Sequence, residues 1–159
     1  MSGYTNAMRR YFEFAGRSSR SEFWFFVLFY VILYVLVSLV EGYVLGTMGI
    51  LTGIVALVHL IPSISVSVRR LHDIDRTGWW VLFFFGAPLL IMIIGGVMMG
   101  GSILAMATGG DAGALAGAAG LGASALIMIL LSLAIWIVAL VFYCTRGTQG
   151  PNQYGPPTV

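Results

Sequence analysis

The stretch FWFFVLFYVILYVLVSLVEGY, residues 23–43, decides the fold. It carries no charge before Glu41. At 1.5 Å per residue, about twenty helical residues cross the roughly 30 Å hydrocarbon layer of a bilayer. Its apolar side chains are continuous instead of alternating, which reads as helix and not as barrel strand. The run is longer than a signal-peptide core and no small-x-small cleavage site follows it, so it is expected to remain as a membrane anchor.

Three further runs have the same character, at residues 50–68, 79–99 and 121–143. Gly42, Gly46 and Gly49 mark a short turn between the first two, which implies an antiparallel hairpin. Composition agrees: apolar residues make up 59% of the 159 and charged residues 9%, and the mean hydropathy is +0.97. So few charges cannot cover a water-facing surface, which argues against a soluble enzyme, a disordered tail or a secreted disulfide scaffold. The lone Cys144 excludes an internal disulfide and a cysteine metal cluster. The expected fold is an all-α polytopic integral membrane protein forming one membrane domain. It has four transmembrane helices, a short interfacial helix within residues 1–22 and a tail over residues 144–159.

Charge placement sets the expected orientation. All eight basic residues are Arg, and they fall before the first run, between the second and third, and after the fourth. Four crossings put these segments on one side, where eight arginines against four acids leave +4; Glu41 and Asp111 leave −2 on the other. The positive-inside rule then places both termini in the cytoplasm. Residues 95–122 carry ten glycines in 28 positions. They read as a flexible loop, or alternatively Gly113-x-x-x-Gly117 allows close helix packing.

Two cytoplasmic elements hold the polar chemistry. Met8, Tyr11, Phe12 and Ala15 share one face of a helix expected in the headgroup region and broken by Gly16. Ser19-Arg20-Ser21-Glu22 fits a capping box, with Ser19 capping an amide and Glu22 reaching back. The second element is Arg69-Arg70-Leu71-His72-Asp73-Ile74-Asp75-Arg76. If the second helix continues through it, Arg69, His72, Asp73 and Arg76 share a face, with Asp73 spaced to pair with Arg69 and Arg76. Gly78 is expected to stop that helix, and Trp79 and Trp80 to anchor the next at the interface.

Three segments together carry a resemblance. Phe14-Ala15-Gly16-Arg17-Ser18-Ser19-Arg20-Ser21-Glu22-Phe23-Trp24, the Arg69–Trp80 element and the tail Gly147-Thr148-Gln149-Gly150-Pro151-Asn152-Gln153-Tyr154-Gly155-Pro156 resemble the bacterial inner-membrane proteins grouped as domain of unknown function 805. The resemblance covers nearly the whole chain in order. It implies a small polytopic bacterial inner-membrane protein and brings neither a catalytic residue nor a ligand.

For function, the bland reading of the Arg/His/Asp cluster is a topology determinant. The sharper one is an anionic-headgroup site formed by Arg17, Arg20, Arg69, Arg70, His72, Asp73 and Arg76, because planar guanidinium groups suit bidentate contact with phosphate. Catalysis or metal binding by His72, Asp73 and Asp75 is the weak reading, since neighbouring helical residues diverge by about 100° and no established catalytic motif accompanies them. The chain is therefore expected to be non-enzymatic, without cofactor or metal. Its expected partners are membrane lipids, a membrane protein or copies of itself; nucleic acid is not among them, the net charge being only +2. The alternative is an oligomeric channel lined by the second helix around His59, an ionisable residue at mid-membrane. Pro62 frees a carbonyl near position 58, so His59 also reads as a neutral ring satisfied by backbone or by Ser63. The tail reads as extended and exposed, either as a disordered end or with Asn152 and Tyr154 folded back onto the cluster.

Overall fold

The computed structural model describes residues 2–46 and 49–158. Five helices follow in order: α1 (Ser2–Arg9), α2 (Arg20–Leu39), α3 (Ile50–Asp73), α4 (Trp79–Thr108) and α5 (Gly110–Cys144). A π-helical turn, Val40–Leu45, extends α2. The four apolar runs are thus four helices long enough to cross a membrane. The chain divides into two compact units, residues 1–81 with 142–159, and residues 82–141.

In the first unit α1 packs on α2 and α3. The interfacial helix lies earlier than the apolar stripe from Met8 suggests: it ends at Arg9, and Phe12, a member of that stripe, is exposed. Small residues explain the shift. Gly3 sits so close to the α2 backbone that a Cβ there would lie 3.1 Å from Glu22 Cα, and Ala7 is fully buried. Neither small side chain registers as an apolar stripe.

Ser19 caps α2 by accepting the Glu22 amide at 3.2 Å. The return half of the capping box does not form, because Glu22 reaches Arg69 instead. At the other end, Glu41 curls through the π turn and accepts from the Leu51 and Thr52 amides and the Thr52 hydroxyl at 2.9, 3.0 and 2.6 Å. A carboxylate at the start of α3 satisfies amides that have no partner within the helix. This closes the α2–α3 hairpin.

α3 runs past its apolar stretch to Asp73, five residues before Gly78. Asp75 adopts φ +57, and the Arg76 amide bonds back to the Leu71 carbonyl at 2.9 Å. This left-handed turn ends the helix, and Asp tolerates it better than most residues. Arg76 therefore leaves the helical face expected to align it with Arg69 and Asp73.

In the second unit, α4 and α5 are 30 and 35 residues long, well beyond the spans 79–99 and 121–143. The Gly-rich segment is helical hairpin and not flexible loop: the chain reverses at Gly109 and Gly110, the latter at φ +59. Gly113 faces the Ala105 carbonyl, Gly117 faces Ser102 and Met106, and Gly95 faces Met128, each with no room for a Cβ. The glycines form a seam along which two antiparallel helices approach closely, as small residues permit in lipid.

Candidate functional site

The site lies in the first unit, where the start of α2, the end of α3 and the end of α5 meet the tail. Its centre is Asp73, almost fully buried. Arg17 Nε donates to Asp73 Oδ1 at 2.8 Å, and Arg70 Nη1 donates to Oδ2 at 2.5 Å. Thr158 adds a hydroxyl to Oδ1 at 3.2 Å. Two buried guanidinium groups against one carboxylate leave a surplus positive charge, and backbone carbonyls compensate for it. Arg70 donates to Tyr143 O at 3.1 Å and to Thr145 O, around the negative end of α5. Arg17 donates to Thr148 O at 2.6 Å and to Gly150 O at 2.8 Å.

The tail is a strap over this centre. The Thr148 amide bonds Asp73 O at 2.9 Å, and Asn152 Nδ2 donates to His72 O at 2.8 Å. Tyr154 stacks on His72 with ring centroids 3.7 Å apart and planes 3° from parallel. A tight turn pairs Asn152 with Gly155 and aims Tyr154 at that ring. Gly147 passes against the Asp73 carboxylate with no space for a Cβ. The Asn152 and Tyr154 contacts anticipated from the sequence thus form.

The seven candidate residues separate into four environments. Arg17, Arg70 and Asp73 form the buried centre, with His72 beneath the strap. Arg69, fully buried, pairs with Glu22 at 3.1 Å and not with Asp73; its backbone carbonyl accepts the Ser18 amide at 3.0 Å. Arg76 stands over the Phe142 ring at 5.9 Å. Arg20 is exposed. The expected alignment of Asp73 with Arg69 and Arg76 fails for two reasons: the helix ends at Asp73, and Arg17 arrives from another segment. Nor do His72, Asp73 and Asp75 converge. The His72 Nδ1–H donates to Gly16 O at 3.2 Å, Asp73 is enclosed by arginines, and Asp75 accepts from Gln153 at 3.2 Å. Among the described residues no group of three His, Cys, Asp or Glu side chains could hold a metal ion.

Among the described residues, ion pairs engage Arg10, Arg17, Arg69 and Arg70, while Arg9, Arg20, Arg76 and Arg146 enter none. The Arg10–Glu13 pair, at 2.7 Å, holds the Glu13 carboxyl below its usual range. Arg20 stands at the mouth of a groove of about 440 Å³ lined by Ser21, Trp24, Phe25, Leu28 and Cys144. Arg146 is a functional candidate that sequence reading passed over. Its signal was its place one turn beyond the last apolar run, where a cation meets the interface.

His59 is buried on α3. Nδ1 lies 2.8 Å from Val55 O, and a carbonyl only accepts, so Nδ1 carries the proton. In the neutral ring Nε2 then accepts from the Tyr4 hydroxyl at 2.8 Å. Tyr30 stacks on the imidazole at 4.8 Å. The carbonyl freed by Pro62 is taken by Tyr11, whose hydroxyl donates to Val58 O at 2.7 Å, while Ser63 bonds the His59 carbonyl at 2.6 Å.

These features define a four-span helical membrane protein whose helix ends are strapped together on one side by buried arginines. The chain belongs to the family described as "Protein of unknown function (DUF805)", which matches residues 11–156. Similar proteins include the Escherichia coli inner membrane protein YhaI, 28% identical over 98% of this chain and 93% of the relative. The Escherichia coli inner membrane protein YhaH is 29% identical over 98% and 95%. No solved structure matches the chain at a significant level.

Proposed function

We propose that this chain is a non-enzymatic membrane protein that recognises anionic phospholipid at the cytoplasmic interface of the inner membrane, both termini lying on that side. The observation that carries this reading is the groove beneath Arg20. A cation with no acid partner, its Nη1 donating to Cys144 O at 3.5 Å, lines a cleft walled by Trp24, Phe25 and Leu28, which suits a phosphate beside an acyl chain. Relative to the seven residues expected from sequence, the headgroup contact shifts to Arg20, because Arg17, Arg69 and Arg70 are sealed inside the fold. Their part is to hold the mouth of the groove rigid. A pore around His59 is the less favoured reading, since both ring nitrogens are engaged by Val55 and Tyr4.

Native mass spectrometry of protein released gently from membranes tests the reading. Wild type is expected to retain phosphatidylglycerol in preference to phosphatidylcholine. Arg20→Gln is expected to reduce that retention about fivefold, one charge near a lipid surface being worth about 1 kcal/mol. Equal retention by wild type and Arg20→Gln would sink it.

A further inference from the structure

We propose that the headgroup recognised beside this groove is a terminal phosphomonoester, a lipid carrying a doubly charged phosphate, bound between Arg20 and Arg146. The inference rests on the groove reading and names its ligand class. A second cavity, of about 510 Å³, opens next to the apolar groove and shares Arg20 and Ser21 with it. Its remaining walls are mostly polar and come from Ser19, Asp73 and the strap, including Arg146, Thr148, Gln149 and Thr158 beside Pro157. One side chain, Arg20, therefore stands between a cleft fit for a hydrocarbon chain and a cavity fit for a charged group.

Charge decides which group. Asp73 also borders the cavity, but Arg17 and Arg70 already neutralise it. Arg20 and Arg146 remain, with no acid paired to either, which gives two positive charges at one cavity. A phosphodiester headgroup bears one negative charge. A phosphomonoester bears about 1.5 to 2 at neutral pH, its second ionisation falling near pH 6. Two guanidinium forks on either side of one phosphate match the larger charge and can each bind bidentately.

The donor inventory agrees. Thr148 and Thr158 already spend their hydroxyl protons on Asp73. The Ser19 and Ser21 hydroxyls share one bond at 2.9 Å, and Ser19 accepts the Glu22 amide, so this pair has one proton to give. The cavity therefore offers two guanidinium groups, the Gln149 side-chain amide and a single hydroxyl donor. That set answers the many acceptor oxygens of a bare phosphate better than the donor hydroxyls of a glycerol or sugar headgroup.

Cys144, the only cysteine, lines the apolar groove and is exposed, so its modification rate reports occupancy. The full chain is placed in phosphatidylcholine nanodiscs doped with either phosphatidic acid or phosphatidylglycerol, and Cys144 is reacted with a thiol reagent. Phosphatidic acid is expected to protect about fivefold better than phosphatidylglycerol. Its protection should grow between pH 6 and pH 8, while that of phosphatidylglycerol stays flat. Arg146→Gln should reduce phosphatidic acid to the phosphatidylglycerol level, and Arg20→Gln should weaken protection by both about fivefold. Inorganic phosphate added to undoped discs is expected to leave the rate unchanged; protection by phosphate alone would overturn the lipid assignment. Equal protection by the two lipids, unaltered in Arg146→Gln, would overturn the phosphomonoester inference and leave the groove reading standing. Lipid protection that is undiminished in Arg20→Gln would overturn both.

Discussion

At the scale of single residues, Asp73 is the side chain on which most depends. It is the only acid between two buried guanidinium groups, and their carbonyl partners belong to the end of α5 and to the strap that it anchors. Removing one member of a buried ionic group leaves the others desolvated and uncompensated, at a cost of about 3–5 kcal/mol. Asp73→Asn keeps the shape and removes the charge, so it is expected to lower stability by that amount in denaturant titrations of the detergent-solubilised protein. Gly147→Ala tests the same centre by a steric route, since the added methyl meets the Asp73 carboxylate. It should free the tail to limited proteolysis while the far ends of α2 and α3 stay protected. Sequence spacing exposed the concentration of charge here but misassigned its pairs. Helical periodicity reports neighbours along one helix, whereas Arg17 comes from 56 residues earlier in the chain.

At the scale of elements, α3 joins the N-terminal segment through a fault in its own ladder. Pro62 has no amide hydrogen to give the Val58 carbonyl, and Tyr11 supplies the missing donor. Tyr11→Phe should therefore cost about 0.5–1.5 kcal/mol in wild type. In a Pro62→Ala background it should cost almost nothing, because the restored amide can serve Val58 itself. A double-mutant cycle on unfolding free energy measures that coupling. The freed carbonyl was legible from the proline alone; its partner was not, because nothing local ties Tyr11 to position 58. The α4–α5 hairpin shows the opposite limit. Its glycines suggest a loop by composition, yet Gly113 and Gly117 face α4 and serve as contact surface. Gly117→Val, which drives a side chain into Ser102 and Met106, should destabilise the hairpin. Gly96→Ala, with nothing within 4 Å of the new methyl, should be neutral or gain up to about 1 kcal/mol in helix propensity.

At the scale of the whole molecule, the apolar pattern and the polar residues do different work. Few large apolar side chains are buried, Phe26, Val66 and Leu71 being the most enclosed, while long runs of Leu, Ile and Val face outward. In lipid such surfaces give no net drive for helices to associate, so specificity must come from close packing and polar contacts. The buried centre at Asp73, the Glu41 cap and the glycine seam supply these. That division explains why four spans could be counted from sequence while their contacts could not. It also bears on orientation. Arg9, Arg20, Arg76 and Arg146 enter no ion pair among the described residues, and under the proposed orientation these four charges lie at the cytoplasmic leaflet, which is negative at its surface. Cys144 lies two residues from Arg146 and borders the same groove as Arg20. In intact cells a membrane-impermeant thiol reagent added outside should therefore leave Cys144 unmodified, and permeabilisation should expose it. Asp111→Cys in a Cys144→Ser background should behave oppositely, because the hairpin tip at Gly110 is reached after three crossings. Labelling of Cys144 from outside would reverse the proposed orientation and move the groove beside Arg20 to the opposite leaflet.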